Sequence, residues 1–239
     1  PASSNFRKRV LGHLIGAECS LVCAARTDAG VHAHGQVAHL DLPHTSLENL
    51  SLRRLNRPLP PDVRIVACQP VPIDFDARFS ALWRRYSYRI CDDQVGPDPL
   101  QRHRTLGWPR PLDEGAMNQA AVGLIGEHDF ASLCKRRPGA STIRELQVCR
   151  TTRDPDGILV LQVRADAFCH SMVRSLVGVL LPVGDGRRDP SWPAEVVASG
   201  LRHPAAMVMP PHPLILEEVR YPAPEEFSDR QLRTRRMRG

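Results

Sequence analysis

From Leu21 to Val37 the chain reads Leu21-Val-Cys-Ala-Ala-Arg-Thr-Asp-Ala-Gly-Val-His-Ala-His-Gly-Gln-Val37. Leu21 to Ala25 is a short apolar run of strand type, and it ends in the polar loop Arg26-Thr27-Asp28-Ala29-Gly30. Gly30 permits a tight turn and a close approach by a ligand, and a loop presented by a scaffold is where reactive groups are commonly placed. Asp28 is the one carboxylate of this loop, with Arg26 two residues before it and Thr27 between them as a hydrogen-bonding group. From Gln36 to Leu42, the residues Val37, His39 and Asp41 alternate with Ala38, Leu40 and Leu42, the pattern of a half-buried strand. Taken alone, the loop also suits a simple turn in which Asp28 caps the backbone and Arg26 is solvated.

Outward from this loop, short strands alternate with helices. Thr45-Ser46 can cap a helix running through Leu47, Leu50 and Leu55 to Pro58. Arg57-Pro-Leu-Pro-Pro-Asp62 reads as a rigid connector, and Val63 to Ala67 as a strand. Pro70 and Pro72 mark a boundary, giving an N-terminal half at 1–72 and a C-terminal half at 73–225. In the second half, strand Tyr86–Ile90 precedes a Pro-, Gly- and Asp-rich loop to Pro99, and Asp113 begins a helix to about Gly126. Ile143–Thr151 and Ile158–Ala167 flank Asp154-Pro-Asp-Gly157, a hairpin signal. Helices are predicted over Cys169–Val183 and Pro193–Gly200, and a last strand over Leu214–Tyr221. The tail, 226–239, carries Arg230, Arg233, Arg235, Arg236 and Arg238 with no evident core residue, so disorder is expected there. Hairpins mixed with crossovers predict an α+β fold rather than a doubly wound parallel sheet.

Composition narrows the function classes. The 239 residues, 42% hydrophobic and 24% charged, suit a globular protein with one large or two modest domains. No apolar run reaches the roughly 18 residues of a membrane span, and the N-terminal Arg7-Lys8-Arg9 is followed by no secretory apolar segment. Seven cysteines without a C-x-x-C pair predict reduced thiols in a cytoplasmic protein. His32, His34, His39 and His44 cluster in sequence, but no Cys or acidic residue stands at ligand spacing, so no metal is expected. Net charge is +6, and every cation except Lys8 and Lys135 is arginine. Arginine binds phosphate with two donors and stacks on bases, so a nucleic acid is a reasonable partner; an arginine-biased genome explains the same count.

Two further stretches can carry chemistry. Phe75-Asp-Ala-Arg-Phe-Ser-Ala81 leads into Arg84-Arg-Tyr-Ser-Tyr-Arg-Ile90. On a strand, Tyr86 and Tyr88 share one face and Arg85 and Arg89 the other, which suits a flat base and its phosphates, or simply a core face with aromatic residues. Ala165-Asp-Ala-Phe-Cys-His-Ser-Met-Val-Arg-Ser-Leu-Val-Gly178 places His170, Arg174 and Gly178 on one helical stripe against an apolar side. Arg174 is then either solvated or aimed inward at a carboxylate.

RTDAGVHAHGQV at Arg26–Val37 resembles the RTDxGVHAxGQV loop of the TruA family of tRNA pseudouridine synthases, bacterial type. The second stretch resembles that family's FxARFSAxxRxYxY block and the third its xAFxxxMVRxxVG block, with Gly126–Phe130 and Thr142–Arg144 matching GxHDF and TxR. The resemblance covers about residues 20 to 221. It implies a pseudouridine synthase fold: two RRM-like α+β halves, a mostly antiparallel continuous sheet and a central catalytic cleft. It implies Asp28 as nucleophile, Tyr86 as the ring against the target uracil and the proton-handling group, and Arg174 as the partner of Asp28. Arg26 would help to extrude the nucleotide, and Thr27, His32, Gln36, Arg78 and Arg85 would contact RNA. A homodimer acting on uridines 38–40 of the tRNA anticodon stem-loop also follows from the resemblance.

Two departures stand out. Family members open with a strand and a YDGxxFxGW-type segment before the helix that precedes RTD; this sequence enters at or near that helix, with Phe6, Val10 and Leu14 as its apolar face. Pro213 stands where the family has glycine, which predicts a different local loop, since proline cannot adopt a positive φ.

The chemistry is an isomerisation: the uracil N1–C1′ bond breaks, the base turns, and C5 joins C1′. Reactant and product share one formula, so no redox or nucleotide cofactor is required. A carboxylate can hold the fragments together, and a closed site keeps free uracil from escaping. The nucleotide must leave its stack, at about a few kcal/mol, offset by arginine and aromatic contacts. The alternatives are a non-catalytic RNA-binding protein of the same fold and a carboxylate hydrolase unrelated to RNA. The hydrolase usually needs two carboxylates, and the loop supplies one.

Overall fold

The computed structural model describes residues 20–42, 51–135, 139–204 and 206–238. Its first elements are β1 (Val22–Cys23), β2 (His32–Ala33), β3 (Ala38–His39) and α1 (Leu52–Asn56). Next come β4 (Trp83–Cys91), β5 (Leu106–Gly107), α2 (Glu114–Val122), β6 (Gly126–Asp129), β7 (Ile143–Arg153) and β8 (Leu159–Ala165). Helices α3 (Met172–Gly184) and α4 (Trp192–Ala198), strand β9 (Leu214–Arg220) and helix α5 (Phe227–Arg238) follow.

Seven strands form one open sheet in the order β2-β9-β4-β8-β7-β6, with β5 paired to the end of β4. Pairings β2–β9 and β4–β5 are parallel and the others antiparallel, so the fold is α+β with a mostly antiparallel sheet. Strands β1 and β3 make a separate small pair. On β8, Leu159, Leu161, Val163 and Ala165 are buried and the residues between them are half-buried, the alternation of a sheet with one packed face. Strand β7 changes phase midway: Arg144 and Leu146 are buried, then Cys149 and Thr151, because the register shifts between Leu146 and Val148. The hairpin turn is closed by the Asp154 amide on the Ile158 carbonyl at 2.9 Å, and the Asp154 carboxylate accepts from the Asp156 and Ile158 amides.

Helix α3 lies in the core. All its residues are buried except Arg174, and each buried Leu or Val stabilises the fold by about 1.5–3 kcal/mol. Gly178 lets another chain segment reach this helix: a Cβ there would stand 1.9 Å from the Met207 carbonyl oxygen. Helix α2 starts at Asp113, whose carboxylate accepts from the Ala116 amide, and ends by Gly123, earlier than the expected Gly126. Helix α1 is capped by Ser51; Thr45-Ser46, the expected cap, lie among residues 43–50 outside the described set, as do Phe6, Val10 and Leu14.

Three expectations are corrected. Val63–Ala67 forms no strand: the Ile65 amide and carbonyl bond the Asn56 side chain instead of a neighbouring strand, and Val66 is exposed. Strand propensity supplies an extended shape, whereas a strand needs a ladder partner. Residues 227–238 of the tail are not disordered and form α5. Phe227 packs on Phe75 with centroids 5.1 Å apart, and Ser228 and Gln231 bond Asp74. Arg235 lies 4.5 Å over the Phe79 ring. Its partners lie about 150 residues upstream, so local composition could not reveal them. Cys134 and Cys169 are brought side by side, with Cα atoms 5.8 Å apart, although 35 residues separate them in sequence. Finally, α3 begins at Met172, not Cys169, so His170 precedes the helix.

Pro213 keeps a negative φ, just before β9, in a turn where the Leu214 amide donates to the Pro211 carbonyl at 3.1 Å. No positive φ is needed at that position. No helix among the described residues is long and apolar enough to cross a membrane.

Candidate active site

The Asp28 loop turns sharply: the Val31 amide donates to the Asp28 carbonyl at 3.1 Å, and Gly30, with φ 86°, takes the position where glycine is favoured. Pro211 packs over this glycine, 3.1 Å from where a Cβ would be. The loop's base is tied down by Gln36, whose amide donates to the Ala25 carbonyl at 3.0 Å and accepts from the Ala25 amide at 3.2 Å.

Arg174 Nη1 lies 2.9 Å from Asp28 Oδ2, and His170 Nε2 lies 3.2 Å from Oδ1. The side chains of Asp28 and Arg174 are only 25% and 18% exposed, so this pair is screened less than a surface ion pair. Arg174 is itself held: its Nε donates to the Met209 carbonyl at 2.5 Å, and its carbonyl accepts from the Met209 amide at 3.2 Å. The close approach at Gly178 lets the 206–209 segment lie where it can do this. One turn of helix and one strand of loop thereby aim a guanidinium at a carboxylate.

Tyr86 is buried on the packed face of β4, edge-on to Phe168 with centroids 5.1 Å apart and an interplanar angle of 87°. Burial pushes its phenol well above the ordinary range; the Arg84 cation pulls it down, and the Asp28 charge pushes it up. The phenol is therefore neutral at physiological pH, close enough to feel Asp28. Tyr88, on the same face, donates to the Pro210 carbonyl at 3.0 Å and so braces the segment that holds Arg174.

Arg85 lies on the opposite face of β4 from Tyr86 and pairs with Glu218 at 2.9 Å. The register shift between Arg85 and Tyr86 makes Glu217 an extra residue of β9, and its carboxylate accepts from Ser87 on that same face. Gln36 is engaged with the Ala25 backbone, as a clamp rather than an outward contact. Arg26 is exposed two residues before Asp28, and Thr27 is half-buried between them. His32, exposed on β2, donates to the His103 carbonyl at 2.8 Å, and Arg78 has its guanidinium 5.0 Å over Phe79.

Sequence reasoning missed three residues. His170 was read only as part of a helical stripe with Arg174, yet it precedes α3 and comes to Asp28 through the left-handed turn at Ser171, which no local signal announces. Phe168 sits in the same block and faces Tyr86. Arg84, 3% exposed, donates to the carbonyls of Ala24 (3.2 Å), Arg78 (2.5 Å) and Asp166 (2.8 Å), joining the segments that lead to Asp28, Arg78 and Phe168. Ser171, the N-cap of α3, has φ 68°, an arrangement costing about 1–3 kcal/mol for a non-glycine residue.

Known proteins resemble this chain over most of its length. A family model described as tRNA pseudouridine synthase matches residues 120–222. The chain is 55% identical over 218 residues to a protein of Frankia casuarinae named tRNA pseudouridine synthase A, covering 91% of this chain and 80% of that one. It is likewise 55% identical over 222 residues to the protein of that name from Streptomyces griseus, covering 91% and 78%. With the one from Mycobacterium leprae, identity is 43% over 233 residues, covering 92% and 81%.

Proposed function

This chain belongs to the tRNA pseudouridine synthase A family, and we propose that it converts uridine to pseudouridine in tRNA with Asp28 as the attacking carboxylate. The observation that carries the assignment is the clustering of Asp28 with Arg174 at 2.9 Å, from loop and helix segments 146 residues apart. Arg174 neutralises the charge of the Asp28 carboxylate at 2.9 Å and holds it in one direction. The Asp28 carboxylate attacks the extruded nucleotide and keeps base and ribose joined to the protein while the base turns. Tyr86, neutral and edge-packed on Phe168, supplies a flat wall for uracil and a hydroxyl for proton handling. Arg26, exposed on the same loop, is placed to enter the stack that the nucleotide leaves. When C5 bonds to C1′, the C5 proton is lost and N1 gains one, so the atoms balance without a co-substrate.

The finer features follow the family resemblance: uridines 38–40 of the anticodon stem-loop as targets, and a homodimer in the cytoplasm as the working form. The direct test uses stem-loop RNA carrying uridine tritiated at C5. Tritium reaches water only when C5 exchanges its proton for the sugar bond. Release by the wild type is expected, with pseudouridine recovered from the RNA; tight RNA binding with no release supports a non-catalytic RNA-binding protein instead.

Arg174→Ala is expected to lower the single-turnover rate about 10²–10³-fold, the usual loss when one preorganised charged partner is removed. Stem-loop affinity should stay within about threefold, because Arg174 faces Asp28 and Met209 rather than solvent. Filter binding alongside the rate assay checks this. An affinity collapse with the rate retained makes Arg174 an RNA contact, not the carboxylate's partner.

A further inference from the structure

His170 is under two backbone constraints. Ser171 after it has φ 68°, and its own carbonyl accepts from the Lys135 amide at 3.0 Å. Among the described residues Ser171 is the only non-glycine with positive φ. The turn therefore sets where the imidazole lies, and it brings Nε2 within 3.2 Å of Asp28 Oδ1. Arg174 takes the other oxygen at 2.9 Å.

The physical consequence concerns rotation. A carboxylate turns easily about its Cβ–Cγ bond, because terminal sp³–sp² torsions have broad wells. A partner on one oxygen still permits that motion, whereas partners on both oxygens stop it. His170 Nδ1 is buried and has no partner among the described residues, which suits a proton on Nε2: an idle lone pair costs less there than a buried N–H without an acceptor. The His170 side chain is 29% exposed, so the contact is sheltered from full solvation.

Resting on the assignment of Asp28 as the attacking group, we propose that His170 is a positioning residue, donating from Nε2 to Oδ1 so that, with Arg174, it fixes the carboxylate before the nucleotide arrives. It acts through Asp28. Preorganising an attacking group in this way acts on the rate of the chemical step and leaves binding almost untouched.

The test uses the full chain with His170→Ala and His170→Gln. At saturating stem-loop RNA, His170→Ala should lower the single-turnover rate about 10–100-fold, with affinity within about threefold. His170→Gln, whose amide N–H can reach Oδ1, should recover most of that loss. An independent readout needs no RNA: the ¹⁵N imidazole spectrum of the free protein should show His170 with its proton on Nε2, in a resonance that moves in Asp28→Ala. A rate within twofold of wild type for His170→Ala overturns the proposal, as does a ring protonated on Nδ1 or indifferent to Asp28. If the wild type isomerises no uridine, the proposed function falls, and the imidazole resonance alone still decides the contact.

Discussion

Replacing Asp28 with asparagine is expected to stop isomerisation, lowering the single-turnover rate by at least about 10⁴-fold while stem-loop affinity stays within about threefold. Asparagine keeps the shape of the side chain and can still accept from Arg174. It removes the negative charge and the attacking oxygen. Arg174 retains the Met209 carbonyl as a partner, so the loss of the ion pair should cost about 1 kcal/mol or less in stability. Tritium release separates the two effects, since a folded, RNA-binding protein without release isolates the chemistry. A variant that keeps even one hundredth of the wild-type rate would show that another group attacks.

The second large effect is structural. Arg84→Leu is expected to destabilise the fold by about 3–5 kcal/mol, read as a lower urea midpoint at unchanged slope. Arg84 is a buried cation whose partners are the carbonyls of Ala24, Arg78 and Asp166. Burial pushes its guanidinium below the ordinary value, with nearby Tyr221, Tyr86 and Asp166 raising it. Leucine fills part of the space but leaves those carbonyls without donors. Arg84→Lys should recover less than half of the loss, because one ammonium cannot span acceptors on separate segments as a planar fork does. A loss under about 1 kcal/mol for Arg84→Leu would mean that the carbonyls find other donors.

Local signals carried much of the fold. The Asp154-Pro-Asp-Gly157 hairpin, the Asp113 cap and the alternation along β8 rest on contacts between near neighbours. The candidate site was legible in another way. Asp28, Tyr86 and Arg174 were singled out by the identity of whole motifs, since neither periodicity nor charge distinguishes an inward Arg174 from a solvated one.

Partnership was legible only from the folded chain, although alternation already set Arg85 and Tyr86 on opposite faces of one strand. Arg85 and Tyr86 are neighbours in sequence, yet one pairs with Glu218 on the outer face while the other packs on Phe168. The same limit explains Gln36 bound to the Ala25 backbone, Val63–Ala67 left without a ladder, and α5 held by Asp74. His170 reaches Asp28 because a left-handed Ser171 turns the chain before α3, a conformation its residue type does not favour. The amino-acid order determined which segments extend, coil or turn, because those preferences arise within a few residues. Which side chain meets which partner awaited the tertiary structure, because one residue of register reverses a strand's faces and long-range contacts choose the register.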